Sequence, residues 1–360
     1  MKIAVLGSGN GGCAVAFDWA IHGHSVNLFD FEAFSGNIKT IQKIGGIHAE
    51  GELEGFASIK YAGHDIKKTL DYADVIFAVG PAYSTKPFAE ICKPHLKKGQ
   101  TIIVCPSSCG GSIEFKKEAG LGIRDENIIV AETSTLPYAV RIIEPGRIKV
   151  FLKLRGGIFL AALPAKNTTK VLEKIQAIYP MMKAAKNVLQ TSLQNSNPVI
   201  HPPITLLNVA LIERTKGNFF FYQDGVTTAV GKLIAAVDRE RLAIGEELGI
   251  KVIPDSELGC MQGYMTEMNY DTGYSKAPGF KGIKAPTTLD YRYFNEDVGY
   301  GLVFMQKLGE QIGVETPYMS AIIKLVSLLM GRDYLREAKR TMESLGLSGY
   351  TPQELLGLLA

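Results

Sequence analysis

An α/β domain on a doubly wound, mostly parallel sheet, followed by a mainly α-helical domain, is predicted by three observations. The chain opens with a short apolar strand that runs into a glycine-rich turn and an Ala-rich helix. Apolar, β-branched runs of strand length then recur with helical stretches between them as far as residue 187. From residue 188 long helical periodicities replace them. The expected domains are therefore 1–187 and 188–360, and a chain of 360 residues is long for a single core.

The opening stretch is the most informative. Residues 3–6 are wholly apolar, the pattern of a strand buried on both faces. Gly7-Ser8-Gly9-Asn10-Gly11-Gly12 follows at once, with helical spacing beyond it (Val15, Trp19). This is G-x-G-x-x-G between a strand and a helix, the dinucleotide-binding fingerprint of a Rossmann domain. Gly7 permits the turn, Gly9 lets backbone approach a pyrophosphate, and Gly12 lets helix and strand pack closely. The phosphates belong at the helix N-terminus, beside Asn10 and Gly11, where free N–H groups and the macrodipole favour negative charge. The next strand, Ser25–Phe29, ends at Asp30, where a ribose-binding acid is expected. A carboxylate there accepts from ribose hydroxyls and repels a 2′-phosphate. No Arg lies between Asp30 and Lys39 to offset it, so NAD is favoured over NADP.

Composition narrows the class. With 46% hydrophobic and 21% charged residues the chain is an ordinary globular protein. A net charge of +3 does not argue for nucleic acid or a membrane surface. No uncharged run reaches the roughly 18 residues of a membrane span, and the opening apolar run is too short for a signal peptide. The five cysteines form no C-x-x-C set, so no metal site or disulfide framework is indicated. Cys105 and Cys109 read as free thiols near a sheet edge. A cytoplasmic protein follows.

In chain order, residues 34–44 suit an amphipathic helix and 45–61 a small hairpin insertion. Residues 75–79 form a buried strand ending at Gly80-Pro81, a loop where open α/β sheets bind ligands, so Pro81 joins the cofactor candidates. Residues 101–105 and 127–131 are further strands, 147–154 and 157–163 added ones, and 168–179 a helix. In the second domain helices are expected over 299–312 and 318–330, with a glycine- and aromatic-rich loop region at 259–291 between helical stretches. The apolar late helices suggest a homodimer.

A bound nicotinamide would supply hydride, so the protein must supply a proton, and near neutral pH that points to histidine. Five of the six histidines lie in turn-like or polar stretches of the first domain. The sixth, His201, lies among Pro198, Pro202 and Pro203, which lack N–H groups and leave helix carbonyls without donors. Two readings stand open: a site at a helix break, with Asn197 beside it, or a plain helix start with Pro202 at the first helical position. The other cluster is Asp290-Tyr-Arg-Tyr-Phe-Asn-Glu-Asp297. If Asn295 caps the following helix, Asp297 lies in its first turn, able to accept from an imidazole N–H and fix its tautomer. Arg292 is then expected on the approach loop, where its forked donors suit a carboxylate. The alternative is an N-terminal-turn acid and a surface Arg.

Six motifs together resemble the opine dehydrogenases, the octopine/nopaline dehydrogenase family. They are the glycine turn, Glu132-Thr-Ser-Thr-Leu-Pro-Tyr-Ala-Val-Arg141, Asn197-Pro-Val-Ile-His-Pro-Pro-Ile-Thr-Leu-Leu-Asn208, Val237-Asp-Arg-Glu-Arg-Leu-Ala-Ile244, Arg292-Tyr-Phe-Asn-Glu-Asp-Val298 and Leu345-Gly-Leu-Ser-Gly349. They occur in order over nearly the whole chain. The resemblance implies a site in the cleft between a Rossmann domain and a helical substrate domain. It implies His201 and Asp297 as the catalytic pair and Arg292 as the ligand of the oxo-acid carboxylate, with Asn197 in the matching substrate motif. The expected reaction is NADH-dependent condensation of an amino acid's amine with a 2-oxo acid, pyruvate foremost, and its reverse. The rivals are a NAD-dependent 2-hydroxy acid dehydrogenase and a non-catalytic dinucleotide sensor.

Overall fold

A computed structural model describes all 360 residues. The first lobe comprises β1 (Lys2–Leu6), α1 (Asn10–Ile21), β2 (Ser25–Phe29), α2 (Ser35–Ile44), β3 (Gly46–Gly51), β4 (Gly55–Ser58), β5 (Tyr61–Gly63), α3 (Ile66–Leu70), β6 (Val75–Ala78), α4 (Thr85–Cys92), β7 (Thr101–Val104), α5 (Gly111–Glu118) and β8 (Ile129–Thr133). It continues with β9 (Tyr138–Glu144), β10 (Arg147–Lys153), β11 (Ile158–Leu163), α6 (Thr168–Ile175) and β12 (Met182–Ala184). The main sheet has the order β12-β11-β8-β7-β6-β1-β2-β5. Its six strands from β8 to β5 are parallel and wound in Rossmann order, while β11 is antiparallel to β8. The order reverses between β1 and β6, which opens a crevice beyond their carboxyl ends.

The hairpin foreseen at 45–61 is β3 and β4, but it is half of a second sheet, β4-β3-β10-β9. Residues 147–153 therefore extend this small sheet and not the main one. Helix α1 lies between the two sheets, which explains why it has no polar face: residues 11–19 are all buried, Asp18 included. The Asp18 carboxylate accepts from Tyr138 Oη at 2.6 Å and pairs with Lys153 Nζ at 2.7 Å, both on the small sheet. Cys105 and Cys109 are not near a sheet edge. Strand β7 has neighbours on both sides, and burial pushes both thiols up to about 12.

The second lobe is helical: α7 (Val188–Leu193), α8 (Asn197–Leu207), α9 (Val209–Thr215), α10 (Thr228–Glu247), α11 (Asp255–Gln262), α12 (Thr272–Ser275), α13 (Arg292–Asn295), α14 (Val303–Ile312), α15 (Pro317–Met330), α16 (Tyr334–Glu337) and α17 (Pro352–Leu359). A π-helical segment, Asp297–Leu302, joins α13 to α14. The core of this lobe runs on into the first through Cys109, Ile113, Phe159, Ala161 and Leu163, so the lobes share buried apolar surface. No helix is long and apolar enough to cross a membrane.

A fully buried arginine ties the lobes together. Arg340 Nη1 donates to the carbonyls of Ser107, Ser108 and Cys109 at 2.7–3.0 Å, and Nη2 to Ala82 O, Thr85 Oγ1 and Glu114 Oε2 at 2.8–2.9 Å. Ser108, Cys109 and Gly110 have φ of 50°, 67° and 69°, a left-handed run that costs about 1–2 kcal/mol per non-glycine residue. Two carbonyls of the run, those of Ser108 and Cys109, and that of Ser107 just before it converge on one guanidinium, which holds the loop in that shape. Arg340→Ala would leave Glu114 buried without its cation, at a cost of about 3–5 kcal/mol. A denaturant melt of the variant checks this, and a loss under about 1 kcal/mol, the worth of an exposed pair, would contradict the assignment.

Candidate active site at the lobe junction

The glycine turn has the backbone its sequence demands. Gly7 sits at φ +101°, and a Cβ there would lie 2.1 Å from Val79 O. A Cβ on Gly12 would lie 1.8 Å from Gly7 O, so helix and turn could not approach as they do. Gly9 differs: nothing lies within 4 Å of where its Cβ would be, and the space faces the N-terminus of α1, which no side chain caps. Open room beside uncapped N–H groups is what a pyrophosphate needs, and the turn fits a dinucleotide. Gly11 packs against Leu136 and Val79, while Asn10 accepts the Ile142 N–H at 2.7 Å, tying the turn to β9.

Asp30 is buried at the end of β2. Its Oδ2 accepts from the amide and the hydroxyl of Ser8, each at 2.7 Å, and Oδ1 accepts from Phe31 N at 2.8 Å. A carboxylate offers about four acceptor positions, so one remains for a ribose hydroxyl. Asp30 thus also braces the turn, a task its spacing alone did not reveal. Pro81 is half-buried between β6 and α4, in the loop that meets the helical lobe.

Across the junction, α8 runs from Asn197 to Leu207 through Pro202 and Pro203. His201 is its fifth residue, which removes the reading of Pro202 as a helix start. One turn earlier on the same face is Asn197, half-buried, its backbone N–H donating to Asn195 Oδ1 at 3.3 Å. Gly301 of the π segment faces α8: a Cβ there would lie 2.2 Å from Pro198 Cγ. That approach brings Asp297 to His201, with Oδ2 2.7 Å from Nδ1. Both are buried, at 2% and 9% exposure. The imidazole stacks on Tyr293 at 4.0 Å between centroids, and its Nε2 lies 3.0 Å from Tyr222 Oη.

Two local expectations change. Asn295 caps no helix; it ends α13, accepting from Arg332 Nη1 and Tyr334 Oη and donating to Asp290. The helical run begins earlier, at α13, and Asp297 is the first residue of the π segment that continues it, in that segment's first turn as expected. Arg292 accordingly opens α13 instead of lying on a loop. Its Nη2 pairs with Glu296 Oε2 at 2.8 Å, and that neighbouring carboxylate raises the already high guanidinium pKa. The pair leaves the rest of its fork free, with the side chain 44% exposed.

Glu296, singled out by no sequence feature, is buried and reaches the first lobe. Its Oε1 accepts from Ala82 N at 2.8 Å and Ser108 Oγ at 3.0 Å, at the carboxyl ends of β6 and β7. The residue beside Asp297 is therefore fixed to the loops that edge the nucleotide crevice. Tyr222, Tyr293 and Arg340 were equally unmarked. By contrast, a surface hollow lined by Lys2, Asn27, Lys60 and Asp71 lies at the amino ends of β1 and β2, away from this chemistry.

A dinucleotide fold joined to a buried imidazole–carboxylate contact defines the class: a nicotinamide-dependent oxidoreductase, in which cofactor and protein divide the hydride and the proton between them. A model of the α-helical domain of NAD/NADP octopine/nopaline dehydrogenase matches residues 184–330, and one of the NAD-dependent glycerol-3-phosphate dehydrogenase N-terminus matches residues 2–108. An opine dehydrogenase of Arthrobacter sp. (strain 1C) is 38% identical over 353 residues, covering 97% of this chain and 96% of the relative. A vitopine synthase of Allorhizobium ampelinum is 26% identical, covering 99% of each. The structure of octopine dehydrogenase with NADH and agmatine shares the fold, with a TM-score of 0.80 at 18% identity over 99% of this chain and 98% of the other. The chain belongs to the opine dehydrogenase family, NAD-dependent oxidoreductases acting on CH–NH donors.

Asp30→Ala should weaken NADH binding about 10–100-fold, since a hydrogen bond to a charged group contributes about 1.5–3 kcal/mol. A fluorescence titration reads this directly, and an unchanged Kd would remove Asp30 from the ribose site.

Proposed function

We propose that this enzyme condenses the amine of an amino acid with a 2-oxo acid, pyruvate foremost, and reduces the product with NADH to an N-(1-carboxyalkyl) amino acid, reversibly. Residues 1–187 hold the dinucleotide through Gly7, Gly9, Asn10, Gly11, Gly12, Asp30 and Pro81. Residues 188–360 hold the organic substrates. The contact between His201 and Asp297 is the observation that carries this reading: a buried carboxylate 2.7 Å from Nδ1 fixes the tautomer and stabilises the imidazolium.

In this reading the uncharged amine attacks the carbonyl carbon, and water leaves to give an imine that accepts hydride. His201 exchanges protons with the substrate. Arg292 receives the oxo-acid carboxylate on the donors that Glu296 leaves free, and Asn197 orients the substrate one turn from His201. Holding both partners together supplies much of the rate, because an imine of two weakly held molecules is scarce in water.

Two further parts of the proposal concern setting. Five unpaired cysteines fit a reducing cytoplasm. The outer side of α15 carries Tyr318, Leu325, Leu328 and Leu329, each between 46% and 77% exposed, and a second copy of the chain would cover it.

NADH oxidation with pyruvate and a panel of amino acids, each against a blank without amine, tests the reaction. Turnover should require the amine; oxidation with oxo acid alone would point to a 2-hydroxy acid dehydrogenase. His201→Ala should keep NADH binding and lose about 10²–10⁴-fold in kcat, the usual range for a general acid–base group. Unchanged kinetics would refute its role. Light scattering should find a dimer that Leu328→Glu converts to a monomer, whereas a monomeric wild type would exclude the dimer.

A further inference from the structure

Tyr222 has no part in the chemistry described so far. It lies in the connection between α9 and α10, 4% exposed, and the Nε2 of His201 is the one hydrogen-bond partner of its hydroxyl. With Asp297 on Nδ1, both imidazole nitrogens are engaged. An ionised carboxylate only accepts, so Nδ1 carries a hydrogen and a neutral ring must accept at Nε2 from the Tyr222 O–H. When the ring is protonated the second bond reverses. Nε2–H then donates to the phenolic oxygen, whose own hydrogen is free to turn toward a third atom.

The phenol ring itself is held. It stacks on Phe280 at 4.2 Å and 14°, Tyr264 stacks on the same Phe280 at 4.9 Å, and Tyr274 lies parallel at 6.5 Å. Each aromatic pair contributes about 0.5–1.5 kcal/mol beyond area burial, so withdrawing the ring is costly while rotating a hydroxyl hydrogen is not. Burial keeps the phenol well above its usual pKa, so it remains a neutral O–H. A substrate oxygen meets the least rearrangement if it approaches the hydroxyl and leaves the Nε2 contact in place.

We infer that the Tyr222 hydroxyl is a catalytic proton relay between His201 Nε2 and the oxygen of the 2-oxo acid. The inference rests on the reductive-condensation reading and adds a residue to it. After the amine has added to the carbonyl carbon, the carbinolamine C–O bond breaks. The departing hydroxyl takes the phenolic proton and leaves as water, and the phenolic oxygen takes the proton from Nε2. The nitrogen lone pair forms the C=N bond, so the positive charge passes from the imidazolium to the iminium. His201 ends neutral, with Nδ1–H still on Asp297. In the reverse direction the same hydroxyl returns the proton to His201.

Tyr222→Phe keeps the ring and its stack and removes the relay. Single-turnover kinetics with pyruvate and an accepted amine should fall about 10²–10⁴-fold, with Kd for NADH and Tm close to wild type. In mixtures of light and heavy water the wild-type rate should bow as two protons moving together require, and the Tyr222→Phe rate should not. Wild-type turnover in Tyr222→Phe, or a one-proton dependence in the wild type, would overturn the relay. The underlying reading fails separately: it is lost if the wild type has no amine-dependent turnover or if His201→Ala is fully active, whatever Tyr222→Phe does.

Discussion

The contact between His201 and Asp297 joins residues 96 positions apart, and most of what is unusual in the second lobe can be traced to making it. Helix α8 carries three prolines, two of them in its interior, so its backbone has fewer donors than an ordinary helix. The facing segment is wound as a π-helix and presents Gly301 to Pro198 at a distance no side chain would allow. Helical irregularities of this kind concentrate at functional positions, and here one sets where a carboxylate points. The flat ring of Tyr293 then closes one face of the imidazole.

That contact is useful to hydride chemistry only if it is fixed relative to the dinucleotide crevice, and adjacent residues divide the task. Asp297 turns to His201, while Glu296, about 100° away around a helix, turns to Ala82 and Ser108. Arg340 holds the same two loops by their carbonyl oxygens and engages the left-handed run that follows β7. The lobes meet through a shared apolar core and a small set of fully desolvated polar bonds. Such bonds add little net stability over apolar packing, but each is costly to break singly, which favours one relative placement of the lobes over many.

Features that depend on near neighbours could be read from the residues. The strand–turn–helix at the chain start, the acid at the end of β2, the buried parallel strands and the helical periodicity after residue 188 are all local patterns. His201, Asp297 and Arg292 stood out by chemistry and by resemblance. Pairing at long range was not readable: the alternating run of β9 gives no sign that it closes a second sheet with β3, β4 and β10. The cap proposed for Asn295 missed because a helix can begin earlier and change its winding without a breaker residue. Tyr222 looks like one more core aromatic in Phe219-Phe220-Phe221-Tyr222, and Glu296 and Arg340 like surface charges. Their partners lie 21, 214 and up to 258 positions away, and only the folded chain reveals them.

The central claim is that the second lobe presents its imidazole to the reacting carbon while the first presents the nicotinamide. A crystal structure with NADH and a slowly reacting 2-oxo acid analogue tests it most directly. The account predicts the analogue's carbonyl carbon at about 3–3.5 Å from the nicotinamide C4, as a near-attack geometry requires, with its oxygen hydrogen-bonded within the His201–Tyr222 pair. A nicotinamide ring turned away from α8, or an analogue bound elsewhere with His201 still enclosed by protein, would contradict it.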